Sequence, residues 1–117
     1  MKRVLSWLRD ALPSTRRRWV GVGMLTEYPV ESVRCVMVRG TAVAVFHSER
    51  GLQAIADVCA HLGASLSEGV LHDDGYVECP AHTMRFCLRT GECPESPMYT
   101  GRIYPTRVRD GRVFIQA

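Results

Sequence analysis

Cys59-Ala60-His61 and Cys79-Pro80-Ala81-His82 each hold a thiol and an imidazole within a span too short to let them part. Seventeen residues separate His61 from Cys79. Each motif reads as one loop presenting one sulfur and one ring nitrogen, so the two loops together offer four metal ligands to one centre. Zinc accepts a Cys2His2 set in structural sites, but zinc fingers keep the two cysteines on one short spacing and the two histidines on another. Here every loop contributes one of each. The mixed pairing suits a two-iron cluster in which one iron takes both sulfurs and the other both imidazoles. Neutral imidazoles in place of thiolates reduce the negative charge and ease electron uptake.

Two such loops need a framework to bring them together, and from Trp19 onward the chain reads as short β-strands separated by turn residues at close intervals. Segments 33–38 and 41–46 flank Arg39-Gly40, a tight hairpin, and Arg50-Gly51 ends the next turn. Asp74-Gly75 separates 69–71 from 76–78, and Asp110-Gly111 separates 104–109 from 112–116. Asp-Gly pairs favour the left-handed turns of two-residue hairpins. The chain between the motifs therefore folds back at 73–75 and carries His61 toward Cys79. The expected fold is all-β and antiparallel. Ahead of it, Val4, Leu5, Trp7, Leu8, Ala11 and Leu12 recur at helical spacing until Pro13-Ser14, which predicts a short amphipathic helix followed by a basic tether. The expected organisation is residues 1–18 as helix and tether and 19–117 as one domain. The helix either packs on that domain or docks to a partner or surface.

Composition narrows the function classes. A chain of 117 residues suits one domain, and 46% hydrophobic with 23% charged residues is ordinary globular usage. The net charge of +3 is mild and concentrates in Lys2, Arg3, Arg9 and Arg16 to Arg18, while only 8% of residues are aromatic. A basic face with base-stacking aromatics is thus missing, and no nucleic-acid partner is expected. The apolar stretch 4–8 is too short for a secretory or membrane-spanning segment, so the cytoplasm is the expected compartment, where thiols remain reduced. Of the other cysteines, Cys35 reads as a small buried hydrophobe in a strand. Cys87 and Cys93 flank a turn across which they could meet, though reducing conditions disfavour a disulfide. His47 and His72 fall near turns, are expected to be exposed and receive no ligand role.

The motifs and their flanks resemble the Rieske family. Cys59 to Leu66 follows the pattern Cys-x-His-x-Gly-x-x-Leu, and Cys79-Pro80-x-His82 is followed by the aromatic Phe86. Thr90-Gly91-Glu92-Cys93 and the stretch from Tyr104-Pro105 to Gly111-Arg112-Val113 are similar to the family's closing strands. The resemblance implies a Rieske-like antiparallel β-sandwich with a cluster-binding subdomain of two loops. It also implies a [2Fe-2S] cluster with Cys59 and Cys79 on one iron and His61 and His82 on the other, the histidine-bound iron lying nearer the surface. Leu62, Ala64, Leu66, Pro80 and Ala81 would shield the cluster, and loop N–H groups would donate to its sulfurs. High-potential members carry a disulfide at the positions of Ala64 and Ala81 and a serine at that of Met84. Their absence implies a low potential, toward the lower end of roughly −150 to +300 mV. Thr83 stands where the family has glycine.

The resemblance implies a one-electron carrier, a Rieske-type ferredoxin. It would take electrons from a flavin or iron-sulfur reductase and pass them to a separate oxygenase or other redox enzyme, with no catalytic residues of its own. With six residues after Gly111, the mononuclear iron domain of a Rieske oxygenase is not expected. Two alternatives have distinct consequences: a Rieske-like small subunit of a larger enzyme of nitrite reductase type, and a structural zinc or iron-sulfur sensor module.

Overall fold

The computed structural model describes residues 17–59, 63–81 and 84–117. The predicted helix, most of the tether, the histidines His61 and His82, and Leu62 and Thr83 lie outside the described residues.

Among the described residues, ten strands make three sheets in which every pairing is antiparallel. The first sheet orders β1 (Trp19–Met24), β10 (Arg112–Gln116) and β9 (Thr106–Arg109). The second orders β2 (Ser32–Val38), β3 (Thr41–Ser48), β4 (Gly51–Ala56) and β8 (Ile103–Tyr104). The third, small sheet orders β5 (Val70–Leu71), β6 (Tyr76–Glu78) and β7 (Arg85–Cys87). The expected all-β antiparallel architecture is the one observed.

Strand β3 explains how the sheets stack. Successive strand side chains point to opposite faces, and here both faces are buried. Val43 and Val45 pack with Tyr28, Val38, Ala54, Tyr104, Val113 and Ile115, the core shared with the first sheet. Ala44 and Phe46 turn the other way, packing with Ile55, Leu66, Val77, Phe86 and Leu88 beneath the small sheet. A strand covered on both sides reads as a continuous apolar run instead of an alternating one, which is the character of Ala42 to Phe46.

Turn chemistry sets the registers. Arg39 and Gly40 have φ of 50° and 83°, and Asp110 and Gly111 have 53° and 74°. Two successive positive φ values are what a two-residue hairpin turn requires, and Val38 pairs Thr41 and Arg109 pairs Arg112 as expected. Elsewhere the structure corrects the reading. The β5–β6 connection is a four-residue loop, 72–75, in which Gly75 N–H donates to the His72 carbonyl at 3.0 Å. Gly51 opens β4 and is not part of the turn before it. The segment 104–109 is not one strand: β8 pairs with β4, whereas β9 pairs with β10. Pro105 lies at the change of sheet, where its missing N–H costs no ladder bond and its carbonyl still accepts from Gln116 at 3.0 Å. The segment 90–93 forms only a single bridge, Glu92 with Thr100, and no strand.

Candidate metal centre

The small sheet exists to hold the two motif loops. In the first, Cys59 follows β4, its N–H donates to the Ala64 carbonyl at 2.6 Å, and its own carbonyl accepts from Gly63 at 2.8 Å. Gly63 closes this turn with φ of 75°, a conformation that a side chain disfavours. The second loop joins β6 to β7, and Cys79 N–H donates to the Met84 carbonyl at 2.8 Å, continuing the ladder beyond the pair Glu78 and Arg85. The hairpin between the loops is drawn tight at Gly69, where a Cβ would collide with the backbone carbonyl of Glu78.

Cys59 and Cys79 are each 2% exposed and share one apolar cluster with Leu66, Val77, Phe86 and Leu88. The fold thus brings the cysteines of both motifs into one buried cluster. Of the residues expected to shield them, Leu66 is fully buried, Ala64 packs against the cluster, and Pro80 and Ala81 are exposed. The N–H groups of Cys59, Gly63 and Cys79 are used on carbonyls within the loops.

Two anchors adjoin the loops. Asp57, 8% exposed, accepts from Ser67 N–H at 2.6 Å, Ser67 Oγ at 2.7 Å and Ser65 Oγ at 2.9 Å. Burial opposes its charge, but hydrogen bonds from Cys35, Ser67 and Ser65 outweigh burial and hold the carboxyl below its ordinary range. On the other side, Glu95 accepts from Arg85 N–H at 2.9 Å and from Arg85 Nε at 2.8 Å, which fastens the segment 93–99 to the strand leaving the second loop. Sequence reasoning missed both. Asp57 could have been noticed as an acid two residues before Cys59, with serines spaced to return to it.

The remaining cysteines and histidines are now placed. Cys35 lies in β2 but is exposed and bonds to Asp57, contrary to the expectation of a buried hydrophobe. Cys87 and Cys93 are buried free thiols, with Cys93 Sγ 3.7 Å from Glu95 Oε1. His47 and His72 are half-buried, not exposed: His47 Nδ1 meets the Tyr28 carbonyl at 2.5 Å, and His72 Nε2 meets Glu78 Oε1 at 2.9 Å.

Two buried cysteines within one apolar cluster match the donor chemistry of a thiolate-bound iron. The profile of the Rieske [2Fe-2S] domain matches residues 18–105. The chain belongs to the Rieske [2Fe-2S] domain family. It is 44% identical over 77 residues to the ferredoxin subunit of 3-phenylpropionate/cinnamic acid dioxygenase from Photorhabdus laumondii, covering 62% of this chain and 70% of the relative. Among solved structures, the ferredoxin of carbazole 1,9a-dioxygenase from Nocardioides aromaticivorans IC177 superposes with a TM-score of 0.76 at 28% identity, covering 83% of this chain and 95% of that one. A candidate NADH-dependent nitrite reductase small subunit from Mycobacterium tuberculosis superposes with a TM-score of 0.79 at 26% identity, covering 87% and 96%. The Rieske domain is a [2Fe-2S] domain, and the buried thiol pair fits that group.

Proposed function

We propose that this Rieske protein is a one-electron carrier of ferredoxin type, with Cys59 and Cys79 binding one iron of the cluster and His61 and His82 the other. The observation that carries the reading is the burial of Cys59 and Cys79 in one apolar cluster at the ends of two hairpinned loops. When bound, a cluster ligated by two thiolates and two imidazoles supplies reversible uptake of a single electron. The chain's own part is to exclude water from the sulfur side with Leu66, Val77 and Phe86 and to hold both loops stiffly by backbone hydrogen bonds. Stiff loops keep reorganisation small.

Likeness to dioxygenase ferredoxin subunits supports an oxygenase as electron acceptor and a flavin or iron-sulfur reductase as donor. Ala64 and Ala81 cannot form the disulfide of high-potential centres, and Met84 brings no hydroxyl, so a low potential belongs to the same reading. Residues 19–117 form the cluster domain in this proposal, preceded by the segment 1–18, whose apolar spacing suits packing on that domain or docking to a partner or surface. Among the described residues no helix is long and apolar enough to cross a membrane, and a cytoplasmic location fits five cysteines suited to a reducing compartment. The second reading, a small subunit of a nitrite reductase, is favoured by the superposition on the Mycobacterium tuberculosis protein.

Metal and spectroscopic analysis tests the assignment. Anaerobically purified protein is expected to be coloured, to carry iron and acid-labile sulfide in equal amounts, and to give on reduction the low average g of mixed Cys and His ligation. Colourless protein with stoichiometric zinc would replace the carrier by a structural module. Isolation in a permanent complex with a large redox enzyme would favour the subunit reading.

A further inference from the structure

Asp57 draws hydrogen bonds from both sides of the first cluster loop's exit. We propose that Asp57 is a positioning residue for the first cluster loop, its buried carboxylate tying the strand that leads into Cys59 to the serines that lead out of the loop. The inference rests on the cluster assignment above.

The geometry is that of a clamp. Asp57 N–H donates to the Ala42 carbonyl at 2.9 Å, so the residue is fixed to β3 before the loop begins. Its Oδ1 accepts from Ser67 N–H, and its Oδ2 from the hydroxyls of Ser65 and Ser67, which themselves lie 2.9 Å apart. The Cys35 thiol donates to the same carboxylate from β2, the strand paired with β3. Ser65 and Ser67 bracket Leu66, which is fully buried against Cys59 and Cys79. Ser65 also follows Ala64, whose carbonyl holds the Cys59 N–H. One carboxylate therefore sets both the depth of Leu66 and the closure of the turn that carries Cys59.

A buried carboxylate with four donors is not an incidental packing feature. Charge-assisted hydrogen bonds are the strong ones, and removing their common acceptor forfeits all of them at once. Without Asp57 the two serines and the Ser67 N–H lose their common partner, and the loop can open at its exit. A cluster held by a loop that opens loses iron faster.

The test uses the full chain with its cluster assembled. The measurements are iron release to a chelator, the EPR spectrum of the reduced protein, and the far-UV circular dichroism of the apoprotein at the same temperature. Asp57→Ala is expected to release iron at least tenfold faster than the unchanged chain, with a broadened EPR signal and unchanged dichroism. Asp57→Asn, which keeps an acceptor for Ser67 N–H, is expected to recover most of the original rate. Release within twofold of the unchanged chain for Asp57→Ala would overturn the proposal, as would Asp57→Asn performing no better than Asp57→Ala. If Asp57→Ala does not fold, the double variant Ser65→Ala with Ser67→Ala removes two of the donors, and the same tenfold criterion applies. An unchanged chain that assembles no cluster would instead refute the cluster assignment, a result visible before any variant is made.

Discussion

The Cys35 thiol lies on the exposed face of β2, yet its hydrogen bond to Asp57, with some burial and the nearby negative charge, pushes its pKa up to about 11 from 9.0. The sign follows from the donor. A thiol that donates to a carboxylate loses that bond and meets a like charge on ionising, so the neutral form is favoured. The associated stability is present below the ordinary thiol pKa and is lost as the pH rises through the raised value. At pH 8 the thiolate population falls about a hundredfold, and the greater nucleophilicity of a more basic thiolate restores about half of that on a logarithmic scale. Cys35 is therefore expected to react with iodoacetamide about tenfold more slowly than an unstructured cysteine despite its exposure, as read by mass spectrometry of the labelled peptide. Asp57→Asn should accelerate it. A rate equal to that of the denatured chain would show that the bond does not persist in solution. Type and strand placement of Cys35 were legible in the sequence. Its surroundings were not, because Asp57 reaches it from the far end of β4.

Glu95 shows the same logic for a whole segment. Residues 93–99 contain no regular strand, and Glu95 fixes them to β7 through the amide and guanidinium of Arg85. Arg85 also stands over the Tyr76 ring at 5.4 Å and 3.9 Å from Asp74, so one side chain joins this segment to the β5–β6 loop. The backbone hydrogen bond from Arg85, with its charge, holds the Glu95 carboxyl below the usual glutamate range against the opposing effect of burial. A depressed carboxylate pKa contributes stability above the unfolded value, and that stability is lost as the pH falls through the folded one. Hydrogen exchange at the Arg85 amide is expected to show protection at pH 6 that weakens as acid protonates the Glu95 carboxyl, and Glu95→Ala should abolish the protection at pH 6. Because the pair is exposed, the effect is local and global stability should barely change. Equal protection in Glu95→Ala would show that another contact holds the strand. Among the elements, the hairpins at Arg39-Gly40 and Asp110-Gly111 were legible because two consecutive positive φ values demand particular residues. The sheet change at Pro105 was not, since a proline reports a missing donor without saying which sheet lies on either side.

At the scale of the molecule the two apolar clusters divide the work. The cluster of Val43, Val45, Val113 and Ile115 lies between the two larger sheets and contains neither Cys59 nor Cys79, whereas that of Ala44, Phe46, Val77 and Phe86 includes both. The small sheet consists of strands of two, three and three residues, too short to persist on backbone pairing alone. Metal ligation couples to folding when the ligands belong to such a marginal element. Removal of iron is therefore expected to strip amide protection from β5–β7 while β3 and β10 remain protected, as measured by hydrogen exchange on the apoprotein and the cluster-loaded protein. Uniform loss across both clusters would mean that the two cores unfold as one. The all-β class was legible from the spacing of short apolar runs, but the division into two cores was not.

The candidate ligand set, the turn positions and the strand-rich pattern were legible in the sequence itself, because each depends on atoms close together along the chain. A Cys-x-His loop needs no distant partner to present its two donors, and a left-handed turn needs only residues that tolerate it. Only the tertiary structure decided that both faces of β3 would be buried, that Cys35 would stand exposed against an acid, and that Asp57 would close the loop carrying Cys59. Those outcomes depend on which sheet packs over which face. Burial and long-range hydrogen bonding are properties of the assembled sheets, and short-range spacing carries no record of them.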